Sequence, residues 1–533
     1  KLVNIWLLLQ LVVDNTVSNN GLLIGNNQLA LQAHDINNVA GYMSSQGDVA
    51  ISAQKNINNS LGRIQGNNVN LAAEQSITTG SLEADKDLSI KAGDSLKVTG
   101  VALSAKNDLT IQAKTVSVTA LARKSKIGKE RRVTHQKSML TAGRNLSVDA
   151  SQDITVTGST LTGKQGLALN AGRDITINAA EDTSNIDVSD GGRKLKTARM
   201  TNLSSTLNSN NNITLDAGKN IGIIGSTITA GKDIVLKAKG DTNIASVQDT
   251  YYSFQSHTKK RSFGRKKTTI IEKEQYRNKA SELNAGRNVT INADMTELGI
   301  QSTAIAGNVS IIGSDISAKD NIAIAAANTP TATPGVDYDY SRIETRKKGF
   351  GGFTSSNRTS TSQQQRQQAA KATSGDSLNL RAGNNVTLIA PKLHSDGDIN
   401  ITSERGAITL ATAKDTDYQH EEYSKTGAFS WEAGNKGQSD ETIRHTDITA
   451  KGDIRIHAGN GLIVEYKQNG TLEDSIDSLS QLPELAWMNT LQQRNDIDWQ
   501  AIEEAHDKWA EHEEGIGGPG LTILTAAVAI ATA

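Results

Sequence analysis

The chain of 533 residues contains no cysteine and only five prolines, and aromatic residues make up 4% of it. The absence of cysteine excludes disulfide frameworks, thiolate metal sites and a cysteine nucleophile. The low aromatic content excludes cores built around large rings, although 36% of the residues are hydrophobic. Every proline lies at position 330 or later, which suits long hydrogen-bonded ladders better than a proline-punctuated disordered chain.

The charge is almost balanced, with 56 Lys and Arg against 57 Asp and Glu, a formal net charge of −1. No overall field therefore attracts nucleic acid or a membrane. The apolar runs at 5–13 and 521–533 are too short to cross a bilayer, which takes about 20 residues. No signal-peptide cleavage site follows the first run, and we expect both runs to belong to a longer protein.

One short pattern recurs along most of the chain: a turn residue, here called the landmark, followed by apolar-x-apolar. Asp87, Asp108 and Asn145 are examples. Landmarks are separated alternately by 8 and 13 residues, as at 87, 95, 108; 145, 153, 166; 212, 220, 233; and 377, 385, 398. The repeating unit therefore has 21 residues, and Asn38 and Asn59 are also 21 apart.

Apolar-x-apolar is the period of a β-strand, and strands of three to five residues cannot form a sheet alone. Units of equal length can stack, so that each strand pairs with its copy in the next coil. The sequence therefore predicts an all-β fold, a parallel β-solenoid with alternate side chains pointing inward. About 13 coils at ~4.8 Å each give a rod of roughly 60 Å.

The landmark could be mistaken for a catalytic carboxylate. Within this chain it is Asp153, Asn145, Ser95 or Gly166. These residue types share turn chemistry and not acid–base chemistry, and stacked Asn and Ser can hydrogen-bond along a ladder. We therefore interpret the landmark as structural.

The repeat divides the chain into an undecorated solenoid at 1–111, a solenoid with inserts at 112–465, a helical module at 466–514 and an apolar segment at 515–533. Because the repeat resumes in phase after each insert, we expect the inserts to leave the shaft as hairpins or loops and return. The five inserts span about 112–140, 180–210, 246–284, 326–374 and 412–449.

Four of the inserts are basic; the fifth has mixed charge and carries Tyr418, Tyr423, Phe429 and Trp431. One interpretation is contact with an anionic surface such as lipopolysaccharide or a glycan. The other is solubilising charge that keeps neighbouring solenoids from pairing edge to edge. No base-reading motif accompanies the charge, so nucleic acid is not an expected partner. The candidate surface contacts are Arg123, Lys124, Arg131, Arg132, Lys259, Lys260, Arg261, Arg265, Lys266, Lys267, Arg346, Lys347 and Lys348.

The tail changes to a helical period. Thr471 is a predicted N-cap, and Leu472, Ile476 and Leu479 share one helical face. A second short helix is predicted from Pro483.

A third helix is predicted from 498 to about 513, with Trp499, Ile502 and Trp509 together on one face. We interpret this aromatic stripe as core.

No catalytic, cofactor or metal site is predicted. The nine histidines are scattered, and Glu503, Glu504, His506 and His512 lack the i, i+4 histidine pair of a zinc helix. The sequence shows no P-loop, nucleophile elbow, dinucleotide fingerprint or calcium nonapeptide.

The Asn-Asn units near 37 and 58 and the Ala-Gly-basic units at 171–177 and 230–236 resemble the repeats of filamentous haemagglutinin-type exoproteins of two-partner secretion. The basic stretch at 262–269 resembles inserts in the second class of those repeats. Residues 485–507 are similar to the start of the pretoxin region of contact-dependent growth inhibition exoproteins.

This resemblance implies a right-handed, monomeric β-helical fibre at the bacterial cell surface, exported through an outer-membrane transporter. It implies adhesion to neighbouring bacteria or delivery of a C-terminal toxin into them, without enzymatic activity in this segment. A second hypothesis is a pure adhesin shaft with no toxin. A third is a β-helical enzyme acting on polysaccharide, which would need paired carboxylates about 5–10 Å apart on one face.

Overall fold

A computed structural model describes residues 3–5, 9–296, 299–302, 307–349, 354–427 and 430–515. Most of the predicted apolar segment at 515–533 lies outside the described residues, as do part of the run at 5–13 and Phe429 of the fifth insert.

The shaft is a parallel β-helix whose coils contribute strands to three faces. The first face is one sheet of the strands Val3–Ile5, Leu22–Gly25, Tyr42–Ser45, Arg63–Gly66, Ser81–Ala84, Ala102–Ala105, Met139–Ala142, Thr160–Gly163, Thr206–Ser209, Thr227–Ala230, Glu282–Ala285, Asp315–Ala318, Lys371–Ser374, Lys392–Ser395 and Asp447–Ala450. The second face contains Asp48–Ala53, Val69–Ala73, Leu88–Ala92, Leu109–Ala113, Asn145–Ala150, Gly166–Ala171, Asn212–Ala217, Ile234–Ala238, Val289–Ile291, Ile322–Ala326, Leu378–Ala382, Ile399–Ser403 and Ile454–Ala458. The third contains Ile57–Asn58, Ser76–Thr79, Ser95–Thr99, Thr115–Thr119, Ile154–Thr157, Ile175–Asn178, Ile221–Ile224, Thr242–Ala245, Val309–Ile312, Pro330–Thr333, Val386–Ile389, Ile408–Ala411, Leu462–Lys467 and Ile497–Ile502. The long strands Leu9–Ser18 and Gln28–Asn37 join the second and third faces into one sheet.

The register confirms the predicted 21-residue coil over most of the shaft. Leu88 pairs with Leu109 one coil later. The first coils are one or two residues shorter, since Val49 pairs with Val69 and Val69 with Leu88. Fifteen strands on the first face correspond to about 15 coils rather than 13, a rod of roughly 70 Å. The spacing of 8 separates the turns before the second and third faces, and the spacing of 13 also crosses the first face.

Alternate side chains of each strand form a continuous aliphatic core. In the strand Leu109–Ala113, Leu109 and Ile111 have no exposed surface, whereas Thr110 and Gln112 between them point outward. Each such buried Leu or Ile contributes about 1.5–3 kcal/mol relative to an exposed one. The core is thin but repeated in every coil, so it does not depend on large aromatic residues.

The landmark residues form hydrogen-bonded columns along the turns. The backbone N–H of Asp108 donates to Oδ1 of Asp87 at 3.1 Å, and that of Asn145 donates to Oδ1 of Asp108 at 3.0 Å. In the first coils, Nδ2 of Asn38 donates to Oδ1 of Asn59 at 2.6 Å. The interpretation of the landmark as a structural turn residue is therefore confirmed.

Short helices close the far end of the shaft. They are Leu472–Leu479, a 3₁₀ turn at Pro483–Leu485, and Trp487–Leu491. Thr471 caps the first helix as predicted, accepting from the backbone N–H of Asp474 at 3.2 Å. Ile476, Leu485, Trp487, Met488 and Leu491 are buried in the same core as the coils, whereas Leu472 is 37% exposed and lies off the buried face. No helix in the described part of the chain is long and apolar enough to cross a membrane.

The predicted third helix at 498–513 is wrong. The segment forms two strands, Ile497–Ile502 and His506–Gly515. The first extends the third face by pairing with Leu462–Lys467, and the second pairs with Trp431–Arg444. Two open strand edges offer backbone hydrogen bonds that outweigh the helical pattern of the side chains. Trp499 and Trp509 therefore lie on different sheets.

The predicted inserts were drawn too wide. The first range, 112–140, includes the coil strand Thr115–Thr119, and the fourth, 326–374, includes Pro330–Thr333. Neither strand follows an Asp or Asn landmark, and Pro330–Thr333 carries small side chains, so the pattern hid them. A further short hairpin, Ala293–Thr296 with Gly299–Ser302, leaves the shaft between the second and third faces.

Candidate functional site: a sheet of hairpins beside the shaft

Five antiparallel hairpins leave the shaft at one corner, between the third face and the first. The expectation that the inserts protrude and return is confirmed, with hairpins rather than loops. The hairpins are Leu121–Ile127 with Glu130–Gln136, Ala180–Asp190 with Arg193–Leu203, Val247–Lys260 with Lys266–Lys279, Gly335–Lys348 with Ser355–Gln368, and Ala413–Thr426 with Trp431–Arg444. Together with His506–Gly515 they form one sheet of eleven strands, here called the hairpin sheet.

The hairpins are numbered first to fifth in chain order, and from the first hairpin onward they occur on alternate coils. Between the second and third hairpins the chain completes the coil that begins at Thr206–Ser209 and passes the corner without an insert. Two coils rise about 9.6 Å, and a hairpin of two strands is also about 9.6 Å wide. Because the two lengths match, each hairpin reaches its neighbour and the sheet is continuous.

Glycine at the undecorated corners makes room for the hairpins. Gly158 and Gly225 have φ of 56° and 57°, in the left-handed region that favours glycine. A Cβ on Gly158 would lie 2.7 Å from Cβ of Ala180, the first residue of the second hairpin. A Cβ on Gly225 would collide with Val247, the first residue of the third. A side chain at either corner would thus strain the backbone and push the hairpin base away.

A buried serine closes the base of three hairpins. Ser205 donates its hydroxyl to the carbonyl of Asn178 at 2.6 Å, which links the residues on either side of the second hairpin. Ser138 and Ser281 make the same link at the first and third hairpins. All three serines are fully buried. Sequence reasoning missed them, although a serine directly before the strands of the first face was a readable signal.

Registration of the hairpins gives the sheet two different faces. Tyr252, Glu274, Tyr340, Gln363 and Tyr418 are direct partners on successive strands, so their side chains point to the same side. The hairpin strands contact chiefly one another, and the sheet is therefore a single layer with solvent on both sides.

One side, here called the aromatic face, carries most of the aromatic residues of the sheet. The rings of Tyr276 and Tyr338 stack with centroids 5.6 Å apart, and Tyr418 and Trp509 lie 6.0 Å apart. Burial raises the pKa of Tyr340, and the carboxylate of Glu272 adds to the effect. By register, the aromatic face holds Tyr252, Phe254, Tyr276, Tyr338, Tyr340, Tyr418 and Trp509.

The other side, here called the ion-pair face, carries arginine–carboxylate pairs between neighbouring hairpins. Arg277 contacts Asp339 at 2.6 Å, and Arg366 contacts Asp417 at 2.6 Å. Burial alone would raise the pKa of Asp339, but hydrogen bonds from Arg277 and Gln275 lower it. These pairs connect the third hairpin to the fourth and the fourth to the fifth.

The predicted surface contacts are all exposed, but the structure separates them into two groups. Arg123, Lys124, Arg131 and Arg132 lie on the first hairpin. Its strand Leu121–Ile127 is the outermost strand of the hairpin sheet. Charge on an open edge prevents pairing with another chain, so the edge-protection interpretation suits Arg123 and Lys124.

The other nine residues meet at the distal end of the third and fourth hairpins. Lys266 pairs with both Lys260 and Lys348 on one face. Directly opposed like charges destabilise a sheet. Among the described residues, none of these lysines lies within ion-pair distance of a carboxylate. The set Lys259, Lys260, Lys266, Lys267, Lys347 and Lys348 is here called the lysine border; Lys259, Lys267 and Lys347 are aligned on the opposite face.

The three arginines of this group have different surroundings. Arg261 and Arg265 form the turn of the third hairpin, where the N–H of Arg261 donates to the carbonyl of Arg265 at 2.9 Å. Arg346 is bound to Glu344, which also contacts Arg342 at 2.9 Å and is 1% exposed. Arg346 is therefore partly neutralised, and the lysine border carries the unopposed charge.

Histidines and carboxylates of the former helix prediction also lie on this sheet. His512 contacts the hydroxyl of Tyr423 at 2.7 Å, and His506 contacts Asp440 at 3.1 Å. Within the described ranges, no three His, Asp or Glu side chains are grouped so that they could hold a metal ion.

The model of the hemagglutinin repeat matches this chain at residues 123–189, 184–261, 262–346 and 351–443, which together cover more than half of it. The chain belongs to the hemagglutinin-repeat family. Each matched segment runs from one hairpin to the next and contains two coils. The hemagglutinin repeat in this chain is therefore a structural unit of two coils and the hairpin strands that flank them.

Two curated relatives support the same assignment. A protein of Escherichia coli strain STEC_O31 named tRNA nuclease CdiA is 27% identical over 226 residues, covering 42% of this chain and 6% of the relative. A protein of Enterobacter cloacae named 16S rRNA endonuclease CdiA is 28% identical over 157 residues, covering 28% of this chain and 5% of the relative. The chain thus spans only a small fraction of these relatives. No solved structure matches it. The resemblance to a filamentous haemagglutinin-type region of a contact-dependent growth inhibition protein is confirmed.

Proposed function

We propose that this chain is the structural stalk of a secreted bacterial surface exoprotein that acts through cell contact. The stalk holds the hairpin sheet away from the producing cell, and a longer protein of this kind adheres to neighbouring bacteria or carries a toxin into them. Membership of the hemagglutinin-repeat family and similarity to two CdiA proteins support this role. A partner transporter in the outer membrane is part of the proposal, by family resemblance.

Catalysis is not part of the proposed role. The nuclease activities in the names of the relatives belong to those proteins, of which the matched parts are 6% and 5%. The recurrent aspartates accept backbone N–H groups, as Asp87 does from Asp108 and Asp174 does from Asn220. Carboxylates used in this way support the turns. The polysaccharide-cleaving hypothesis therefore gains no support from them.

We infer that the lysine border is the part of the stalk that contacts an anionic surface. The observation that carries this inference is the direct opposition of Lys260, Lys266 and Lys348 without a carboxylate partner among the described residues. Such an arrangement costs stability in the free protein. Phosphate or other acidic groups on a target surface would neutralise it, with about 1 kcal/mol of attraction for each lysine near the surface.

Vesicle binding tests this assignment. The full chain is mixed with vesicles containing lipopolysaccharide, and the six border lysines are replaced by glutamine. If three lysines reach the surface, the variant loses about 3 kcal/mol of binding, or roughly 100-fold in affinity. Binding of the wild type should also weaken as salt rises.

A matched control removes the same charge from the shaft. Its variant replaces the exposed lysines Lys91, Lys97, Lys219, Lys232, Lys237 and Lys239 by glutamine. The control should bind like the wild type. Equal binding by both variants would refute the assignment to the lysine border, since it would show that total charge decides.

An adhesin shaft without a toxin remains the second candidate. The contact surface is the same in both, because the shaft and the hairpin sheet are complete without any downstream domain among the described residues. Delivery is distinguished by the fate of a reporter domain joined to the chain in the full exoprotein. Entry of the reporter into target cells supports delivery, and attachment without entry supports the adhesin.

A further inference from the structure

The aromatic face carries a regular row of tyrosines. Tyr252, Tyr340 and Tyr418 are each the sixth residue of the first strand of their hairpin, in the third, fourth and fifth hairpins. They therefore occupy one cross-strand row, in the order Tyr252, Glu274, Tyr340, Gln363, Tyr418. Rings alternate with polar side chains along this row, here called the tyrosine row.

The spacing in the tyrosine row is set by the shaft. Successive tyrosines are two strands apart, which is about 9.6 Å, and the three span about 19 Å. Two linked hexose rings of an extended polysaccharide cover about the same length as one step. A sugar ring that presents its C–H face can rest on the electron-rich face of a tyrosine. Its hydroxyl groups can then bond to the carboxylate or amide of the residue between.

Charge selects among the possible ligands. The row itself contains Glu274, and Glu272 lies beside it with its carboxylate 3.0 Å from the hydroxyl of Tyr252. The neighbouring Arg342 is bound to Glu344. An acidic ligand would meet these carboxylates, so the row disfavours nucleic acid, acidic glycans and lipid phosphate. This preference is opposite to that of the lysine border.

The ion-pair face offers an internal contrast. At the same height on the sheet it holds Arg277, Asp339, Arg366 and Asp417, which bind one another. Tyr251 is next to Tyr252 in the chain and points to this opposite face. Because both faces border solvent, the difference between them is not explained by packing against the shaft.

We propose that the tyrosine row binds a neutral, extended polysaccharide lying across the hairpin strands, parallel to the shaft. Tyr252, Tyr340 and Tyr418 supply the stacking platforms, and Glu274 and Gln363 accept or donate hydrogen bonds between them. This inference deepens the proposed cell-contact role and rests on it. It can fail separately, because the lysine border is tested with an acidic vesicle and the tyrosine row with uncharged sugars.

Calorimetric titration of the full chain tests the proposal. The probes are the neutral hexasaccharides of β-1,4-linked glucose and N-acetylglucosamine, the matching disaccharides, a galacturonate hexasaccharide and an oligothymidylate. At least one neutral hexasaccharide should bind at least tenfold more tightly than its disaccharide, since only the longer chain reaches two or three tyrosines. Tighter binding of the acidic sugar or of the oligonucleotide would overturn the proposal, as would no binding of either neutral hexasaccharide.

Variants assign the binding to the row. Tyr340→Ala, at the centre of the row, should weaken hexasaccharide binding at least tenfold, whereas Tyr340→Phe should keep it within threefold. Tyr251→Ala on the ion-pair face is the matched control and should bind like the wild type. If circular dichroism shows that Tyr340→Ala disturbs the sheet, Tyr340→Val, which favours strands, replaces it. Equal binding by the Tyr340 and Tyr251 variants would overturn the proposal.

Discussion

Removing one coil should break the hairpin sheet without breaking the shaft. Deletion of residues 206–226 takes out 21 residues and joins Ser205 to Thr227, its partner position in the next coil. The second and third hairpins would then leave the shaft about 4.8 Å apart, while each hairpin is about 9.6 Å wide. The two cannot both remain in the sheet.

The loss can be estimated from the register. Arg193–Met200 of the second hairpin pairs with Thr250–His257 of the third in eight residue pairs. Eight antiparallel pairs correspond to about eight hydrogen bonds, and at roughly 1 kcal/mol each the contact is worth on the order of 8 kcal/mol. Removal of that contact would expose these amides to solvent.

Hydrogen exchange followed by mass spectrometry measures the effect. In the deletion variant, peptides covering 193–200 and 250–257 should lose protection, while peptides from the shaft strands keep theirs. The control deletes residues 82–102, one coil of the undecorated part, where Leu82 pairs with Leu103. It should leave the whole hairpin sheet protected. Full protection of 193–200 and 250–257 in the first variant would refute the match between coil rise and hairpin width.

Three further predictions concern stability. Ser281→Ala leaves the buried N–H of Ser226 without its acceptor and should destabilise the base of the third hairpin by about 1–3 kcal/mol in urea unfolding, whereas Ser89→Ala on the outside of a coil should change little. Burial lowers the pKa of His445 to about 4, so its contribution is full above pH 6.5 and declines as pH falls toward 4, by at most about 3 kcal/mol; His445→Gln should lack this part of the pH dependence of unfolding. Trp487→Ala, at a site 2% exposed, should cost about 3–5 kcal/mol and free the helical cap, as measured by near-ultraviolet circular dichroism. An unchanged transition in Ser281→Ala or Trp487→Ala, or equal pH dependence in wild type and His445→Gln, would contradict the corresponding prediction.

The coils were predictable because each carries its own signal. A strand such as Leu109–Ala113 alternates apolar and polar residues, and a landmark such as Asp108 precedes it. Both signals are local and repeat in register. Where they are missing, as in Pro330–Thr333, the coil strand escaped detection although the neighbouring coils hold it in place.

The hairpin sheet was only partly predictable. Basic residues such as Lys266 and Lys348 were recognised as surface residues, but their alignment depends on the levels at which two separate hairpins leave the shaft. The same geometry sorts Tyr252 and Tyr251 onto opposite faces. Sequence periodicity within one hairpin cannot reveal which residues of another hairpin lie beside it.

The failed helix at 498–513 has a related cause. Trp499 and Ile502 fit a helical face, but the third face of the shaft ends in the open strand Leu462–Lys467. Pairing with that edge satisfies the backbone and places Trp499 against Tyr466, with ring centroids 6.1 Å apart. The competing partner is about thirty residues away in the chain, outside any local pattern.

Electron–electron distance measurements between spin labels test the central claim that the coils stack in register. The chain has no cysteine, so labels can be placed at Thr110→Cys with Thr290→Cys or with Arg455→Cys. These positions lie in one column on the second face, separated by five and nine coil steps. The account predicts about 24 Å for the first pair and about 43 Å for the second. Equal distances, or a second distance shorter than the first, would contradict it.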